Sequence, residues 1–149
     1  MTGSELETRV TGDRQRPAPL YGSGLEPGRI VGRYELLQKL GHGGMATVYL
    51  GRATGTAGFA KRVAIKVIHP HLATEAEFVE MFLDEARLAA ELHHPNVVDT
   101  LDLGQDGDNY YTVLELIEGD SLAGLLGALD GEPLPLDVIL TILIDGCGR

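Results

Sequence analysis

The chain has 149 residues, of which 44% are hydrophobic and 23% charged, so it holds enough apolar material for one packed domain and too much for wholesale disorder. Twelve Lys and Arg against 22 Asp and Glu give a formal net charge of −10, which argues against general binding to nucleic acid or to anionic membranes, whose phosphates demand basic surface. A single cysteine, Cys147, and the absence of Cys/His pairs at zinc-ligand spacing exclude a disulfide-stapled fold and a zinc module.

Residues 1–32 read as a flexible leader, interrupted by Pro17, Pro19 and Pro27 and lacking the apolar core of a signal peptide. Three short strands follow, at Tyr34 to Leu40, Thr47 to Leu50 and Arg62 to Ile68, β-branched or alternating and separated by glycine-containing turns. Glu75 to Leu92 is the best helix, rich in Ala, Glu, Leu and Met. Phe78, Phe82, Glu85, Ala89 and Leu92 share one face of it, and His94-Pro95-Asn96 stops it. Val97 to Leu103 and Tyr110 to Ile117 read as two more strands joined through Asp106-Gly107-Asp108-Asn109. Leu122, Leu125, Leu126 and Leu129 mark a short helix, and a last one starts near Pro135. The apolar run Val138 to Ile144, interrupted by Thr141, is far short of the roughly 20 residues of a spanning helix. The expectation is a cytoplasmic chain without a membrane segment.

Charge is unevenly spread. Residues 30–74 carry Arg33, Lys39, Arg52, Lys61, Arg62 and Lys66 against Glu35 alone, a net of +5, whereas residues 75–149 carry a net of −15. A basic segment inside an acidic chain marks a local anion site, although most of those cations read as solvated strand ends.

Two features carry chemistry. Gly41-His42-Gly43-Gly44-Met45-Ala46-Thr47-Val48 lies between two strands, where glycines let backbone N–H groups approach phosphate oxygens. A strand rather than a helix follows, so this is not a dinucleotide-fold loop, and no Gly-Lys-Ser/Thr follows to make a Walker loop. A plain hairpin turn and a hairpin folded over a nucleotide both remain open from these residues. The second feature is Lys66 in the otherwise apolar Val63-Ala64-Ile65-Lys66. Glu85 falls on the core-facing stripe of the long helix, a costly place for an unpaired carboxylate, so Lys66 and Glu85 are expected to pair. The five histidines show no metal-ligand spacing and read as loop or solvent-facing, and Cys147 reads as an ordinary thiol.

With these motifs in order, the chain resembles the N-terminal lobe of a eukaryotic-type protein kinase, most closely the bacterial serine/threonine kinases. Gly41 to Val48 is similar to the family's Gly-x-Gly-x-x-Gly-x-Val loop, with Ala46 for the third glycine; Val-Ala-Ile-Lys matches residues 63–66; Glu85 falls on the helix glutamate. Leu92-His-His-Pro-Asn-Val-Val98 also matches, and Tyr111 to Gly119 resembles the last strand and hinge. The resemblance implies an α+β fold: a five-stranded antiparallel sheet plus one long helix over residues 33–117, then the hinge and first helices of an incomplete C-terminal lobe over 118–149. It implies ATP as ligand. Leu40, Val48 and Ala64 would sandwich the adenine, backbone groups of Glu115 and Ile117 would bond its edge, and Leu114 would stand behind as gatekeeper. Gly41, His42, Gly43, Gly44, Met45 and Ala46 would cover the phosphates, and Lys66, fixed by Glu85, would hold the α- and β-phosphates. Ser121 or Asp120 reads first as a cap of the helix at Leu122 and second as a ribose contact.

The family's His-Arg-Asp base and Asp-Phe-Gly magnesium ligand do not occur in these 149 residues; Asp145-Gly-Cys-Gly is not a substitute. The resemblance therefore implies the ATP-binding part of a kinase that, when intact, uses Mg2+ and transfers phosphate to protein hydroxyls. The alternative expectation is a non-catalytic nucleotide-binding or regulatory module.

Overall fold

The computed structural model describes residues 25–55 and 60–147; the leader expectation over residues 1–24 lies outside them. Six strands form one antiparallel sheet in the order β1-β2-β3-β4-β6-β5: β1 Ile30–Val31, β2 Tyr34–His42, β3 Ala46–Thr54, β4 Ala60–Ile68, β5 Thr100–Asp106 and β6 Asn109–Leu114. Three helices complete the described residues: α1 Ala76–Glu91 between β4 and β5, then α2 Leu122–Ala128 and α3 Leu136–Gly146. The architecture is the expected α+β, with one strand more than expected. Ile30–Val31 pairs with Glu35 and Tyr34 across a turn in which Gly32 takes a φ of +59°, so a short leader segment joins the sheet.

Alternation along the strands divides the sheet into two faces. Val31, Tyr34, Leu36, Tyr49, Val63, Ile65, Val67, Tyr111 and Val113 make one continuous core. Gly51 in β3 lies against Ile65 of that core, where any larger side chain would meet it. The rim of this face is polar and closed: the Tyr34 hydroxyl donates to Asp102 at 2.6 Å, and Arg33 donates to the same carboxylate at 3.1 Å. Burial and that carboxylate both push the Tyr34 phenol above its ordinary range.

On the opposite face, α1 packs Val79 and Phe82 against Ala46 and Ile68, with Phe78, Leu83 and Leu103 beside them. The buried residues of α1 are Val79, Phe82 and Ala86, a stripe one step round from the expected one. Glu85 consequently sits at the edge of the buried face, with its side chain 61% exposed. A carboxylate at a helix margin avoids most of the desolvation cost that a core position would impose.

Strand limits also differ: β2 runs on to His42, β3 to Thr54 and β5 to Asp106, and β4 starts at Ala60. β5 begins at Thr100, not Val97, because the Val97 N–H turns back to the His94 carbonyl at 3.0 Å. β6 ends at Leu114, which leaves residues 115–117 as extended connection rather than strand.

Candidate functional site

The cleft face of the sheet is built by register. Val48, Lys66 and Thr112 stand opposite one another on β3, β4 and β6, and Leu50, Ala64 and Leu114 form the adjacent row. Ala64 and Lys66 are half-buried, whereas Val63, Ile65 and Val67 point into the core on the other side. The row thus sets an ammonium beside small and apolar groups.

Lys66 donates to Glu85 Oε1 at 2.7 Å, linking β4 to α1, and its Nζ lies 5.7 Å over the Phe82 ring. A cation at that height above an aromatic face is attracted to its quadrupole. The Lys66 side chain is 26% exposed. The pair is therefore held from one side by packing and open on the other. Behind it, Lys66, Phe82, Glu85, Ala86, Ala89, Thr100, Thr112 and Leu114 line a cavity of about 70 Å³. Phe82, Thr100 and Thr112 were not singled out as site residues from sequence. The signal available for Thr112 was its place in the alternating strand, two residues before Leu114.

Gly41 is the penultimate residue of β2, opposite Val48, and a register shift between Lys39 and Gly41 throws Leu40 out of the ladder, half exposed. Gly41 and Gly44 both have negative φ, and a Cβ added at either meets nothing within 4 Å. The protein's own packing therefore places no demand for glycine at these two positions. What glycine provides there is backbone with no side chain over it. The turn is closed by Gly43 N–H donating to the Ala46 carbonyl at 2.9 Å. The Ala46 methyl is buried with Ile68, Val79 and Phe82, and Met45 packs against the same cluster, so both anchor the turn from below.

After β6, the Glu115 N–H donates to the Asp99 carbonyl at 2.9 Å, so any contact this residue offers a ligand through its backbone uses the carbonyl. Ile117 is 60% exposed. Leu114 lines the cavity behind Lys66. The Ser121 hydroxyl accepts from Gly124 N–H at 3.0 Å, the capping role, and Asp120 accepts from Ser121 N–H at 2.7 Å.

His69 departs from the sequence expectation. It is 4% exposed, stacked on His42 at 4.6 Å and on His71 at 5.6 Å, not solvent-facing. It follows the buried Val67-Ile68 directly, and the core cluster carries it inward. Among the described residues no group of three or more His, Cys, Asp or Glu side chains is placed to hold a metal ion.

The protein kinase domain family matches residues 34–137. Over 135 residues the chain is 42% identical to tyrosine-protein kinase MasK of Myxococcus xanthus strain DK1622, covering 88% of this chain and 21% of that protein. It is 44% identical over 94 residues to serine/threonine-protein kinase PrkC of Bacillus subtilis strain 168, covering 63% of this chain and 14% of that one. Serine/threonine-protein kinase pkn2 of Myxococcus xanthus matches at 42% over 117 residues, covering 75% and 14%. The solved PknI kinase domain of Mycobacterium tuberculosis superposes with a TM-score of 0.66 at 26% identity, covering 85% of this chain and 50% of that chain. The chain thus spans about half of that kinase-domain chain and about a fifth or less of these curated relatives.

Proposed function

This chain belongs to the protein kinase family, and from that premise we propose that it forms the ATP-binding part of a serine/threonine protein kinase. The observation that carries this reading is the 2.7 Å Lys66–Glu85 pair, in a sheet register that sets Gly41, Val48 and Lys66 side by side across β2, β3 and β4. An ammonium held at one fixed point by a carboxylate is suited to a pair of phosphate oxygens, because the lysine is oriented before the ligand arrives. Backbone N–H groups of the glycine turn add neutral donors to the same anion. Leu40, Val48 and Ala64 supply apolar surface for a flat base, with the Glu115 carbonyl and the Ile117 backbone as its polar edge.

These residues fit a nucleotide triphosphate. They fit its magnesium poorly, since the described residues offer no cluster of ligating carboxylates. Magnesium supplies charge neutralisation between phosphates in the family, and that work is assigned to no residue of this chain. The proposed part of this chain in phosphoryl transfer is accordingly to bind, orient and partly neutralise the triphosphate. Deprotonating a protein hydroxyl is a separate task, and the 149 residues include no His-Arg-Asp aspartate for it.

The test is a titration with a fluorescent ATP analogue alongside transfer of radiolabelled phosphate to a generic protein substrate. Wild type is expected to bind, and Lys66→Met to bind roughly tenfold to a hundredfold more weakly, the scale of one lost charge-assisted contact. Neither is expected to transfer phosphate. Equal binding by the two proteins would contradict the assignment of Lys66, and transfer that disappears in Lys66→Met would show a complete active site.

A further inference from the structure

Nucleotide binding leaves one cluster of side chains unused, at the root of the glycine turn. His69 lies just past the end of β4 and touches the turn repeatedly. Its backbone N–H donates to the Met45 carbonyl at 2.9 Å. Its Nε2 is 3.1 Å from Thr47 Oγ1, and that oxygen is 3.0 Å from Nδ1 of His42, the residue between Gly41 and Gly43. The two imidazoles stack 21° from parallel. The carbonyls of Gly44 and Ala46 also face the His69 ring. A ring that is 4% exposed thus joins both arms of the turn to the body of the sheet.

Thr47 is 1% exposed, so its hydroxyl must find its partners inside the protein. It has one proton to give and lone pairs to accept with. With both rings neutral it donates to one ring nitrogen and accepts an N–H from the other, and every group is satisfied. Charging the stack changes this. The titratable side chains facing His69 are His42 from β2 and His71 from the connection to α1, while β3 presents Thr47 and the turn presents carbonyls. Two protons on the stack place like charges 4.6 or 5.6 Å apart, one of them on the buried His69 ring, where the two repel. Separation of the rings relieves it, and His42, the last residue of β2 before the turn, is the partner that can move away.

We propose that His69 and Thr47 are positioning residues for the glycine turn, forming with His42 a latch that holds the turn ready for nucleotide while neutral and releases it when acid charges the stack. This rests on the nucleotide-binding reading above. Burial first, then His42 and His71, hold His69 below the ordinary histidine range, against the pull of the two carbonyls. The latched form therefore binds fewer protons than the open one. Its advantage is complete above about pH 6.5 and is lost as the pH falls below it.

The test uses the full chain as wild type, Thr47→Val, Thr47→Ser and His69→Phe, with a fluorescent ATP analogue titrated across acid to neutral pH and ring-proton NMR of the histidines. At neutral pH, Thr47→Val is expected to lose about threefold to tenfold in affinity, the worth of one or two hydrogen bonds, and Thr47→Ser to regain most of it. Wild-type affinity should fall more steeply with acid than that of His69→Phe; protonation of the nucleotide itself affects both alike. Wild-type affinity in Thr47→Val, or parallel pH profiles for wild type and His69→Phe, would overturn the latch. Should wild type bind no nucleotide at any pH, the nucleotide reading is what fails, and NMR decides the latch separately. A His69 midpoint below the ordinary histidine range that Thr47→Val moves supports it; a midpoint that the substitution leaves unmoved refutes it.

Discussion

The region from β1 to β6 and the segment from residue 115 onward treat their apolar side chains in opposite ways. In the first, Leu36, Tyr49, Ile65 and Phe82 are almost completely buried, and α1 closes one face of the sheet. In the second, α2 and α3 contain no buried residue, and Leu136, Leu143 and Leu126 are 69%, 57% and 49% exposed. Both regions form helices with local stop and start signals: Ser121 caps α2, and α3 follows Pro135. Local chemistry is sufficient to make a helix, but burial requires a partner surface. Apolar content therefore predicts packing only where the rest of the core is also present.

The largest expected effect separates these regions directly. Phe82→Ala should destabilise the chain by about 3–5 kcal/mol, because it empties the contact between α1 and the sheet. Leu143→Ala in α3 should cost under about 1 kcal/mol, as substitutions of exposed residues do. Chemical denaturation followed by far-ultraviolet circular dichroism checks both, and similar costs would erase the contrast.

A smaller effect concerns solution behaviour. Exposed leucines and isoleucines on α3 form a surface prone to association, so the wild-type chain should self-associate at about tens of micromolar, and Leu140→Lys with Leu143→Ser should reduce this while keeping the circular dichroism spectrum. Light scattering reads the outcome; a monomeric wild type without binding of an apolar dye would contradict it. The smallest effect on folding is expected at the glycine turn. Gly44→Ala should shift stability by less than about 0.5 kcal/mol, since its methyl meets nothing within 4 Å, yet it should weaken nucleotide binding several-fold. A loss of stability without a loss of binding would reverse the assignment of that glycine.

Much of the fold was legible because its signals are local. Val63 to Lys66, the glycine turn and the α1 pattern each fix their element from a handful of residues, and the order of motifs fixed the family resemblance. What was not legible depends on docking. Stripes through Phe82 and Glu85 and through Val79, Phe82 and Ala86 both fit a helical period, and only the sheet's position decides that the second is buried. β1 is two residues long and exists through its pairing with Glu35 and Tyr34, so it has no pattern of its own. In the candidate site, Lys66 and Glu85 could be paired from their positions in the sequence. The burial of His69 and its link through Thr47 to His42 could not, because a histidine after an apolar run is equally compatible with an exposed strand end.

The Lys66–Glu85 pair is the point at which the folded region acquires its proposed chemistry, and a double-mutant cycle on nucleotide affinity tests it most directly. Titrations of wild type, Lys66→Met, Glu85→Gln and the double variant should show each single change weakening ATP binding, with the double variant little worse than Lys66→Met, because the carboxylate acts through the lysine it orients. Losses that multiply independently in the double variant would contradict the two residues' acting as one unit.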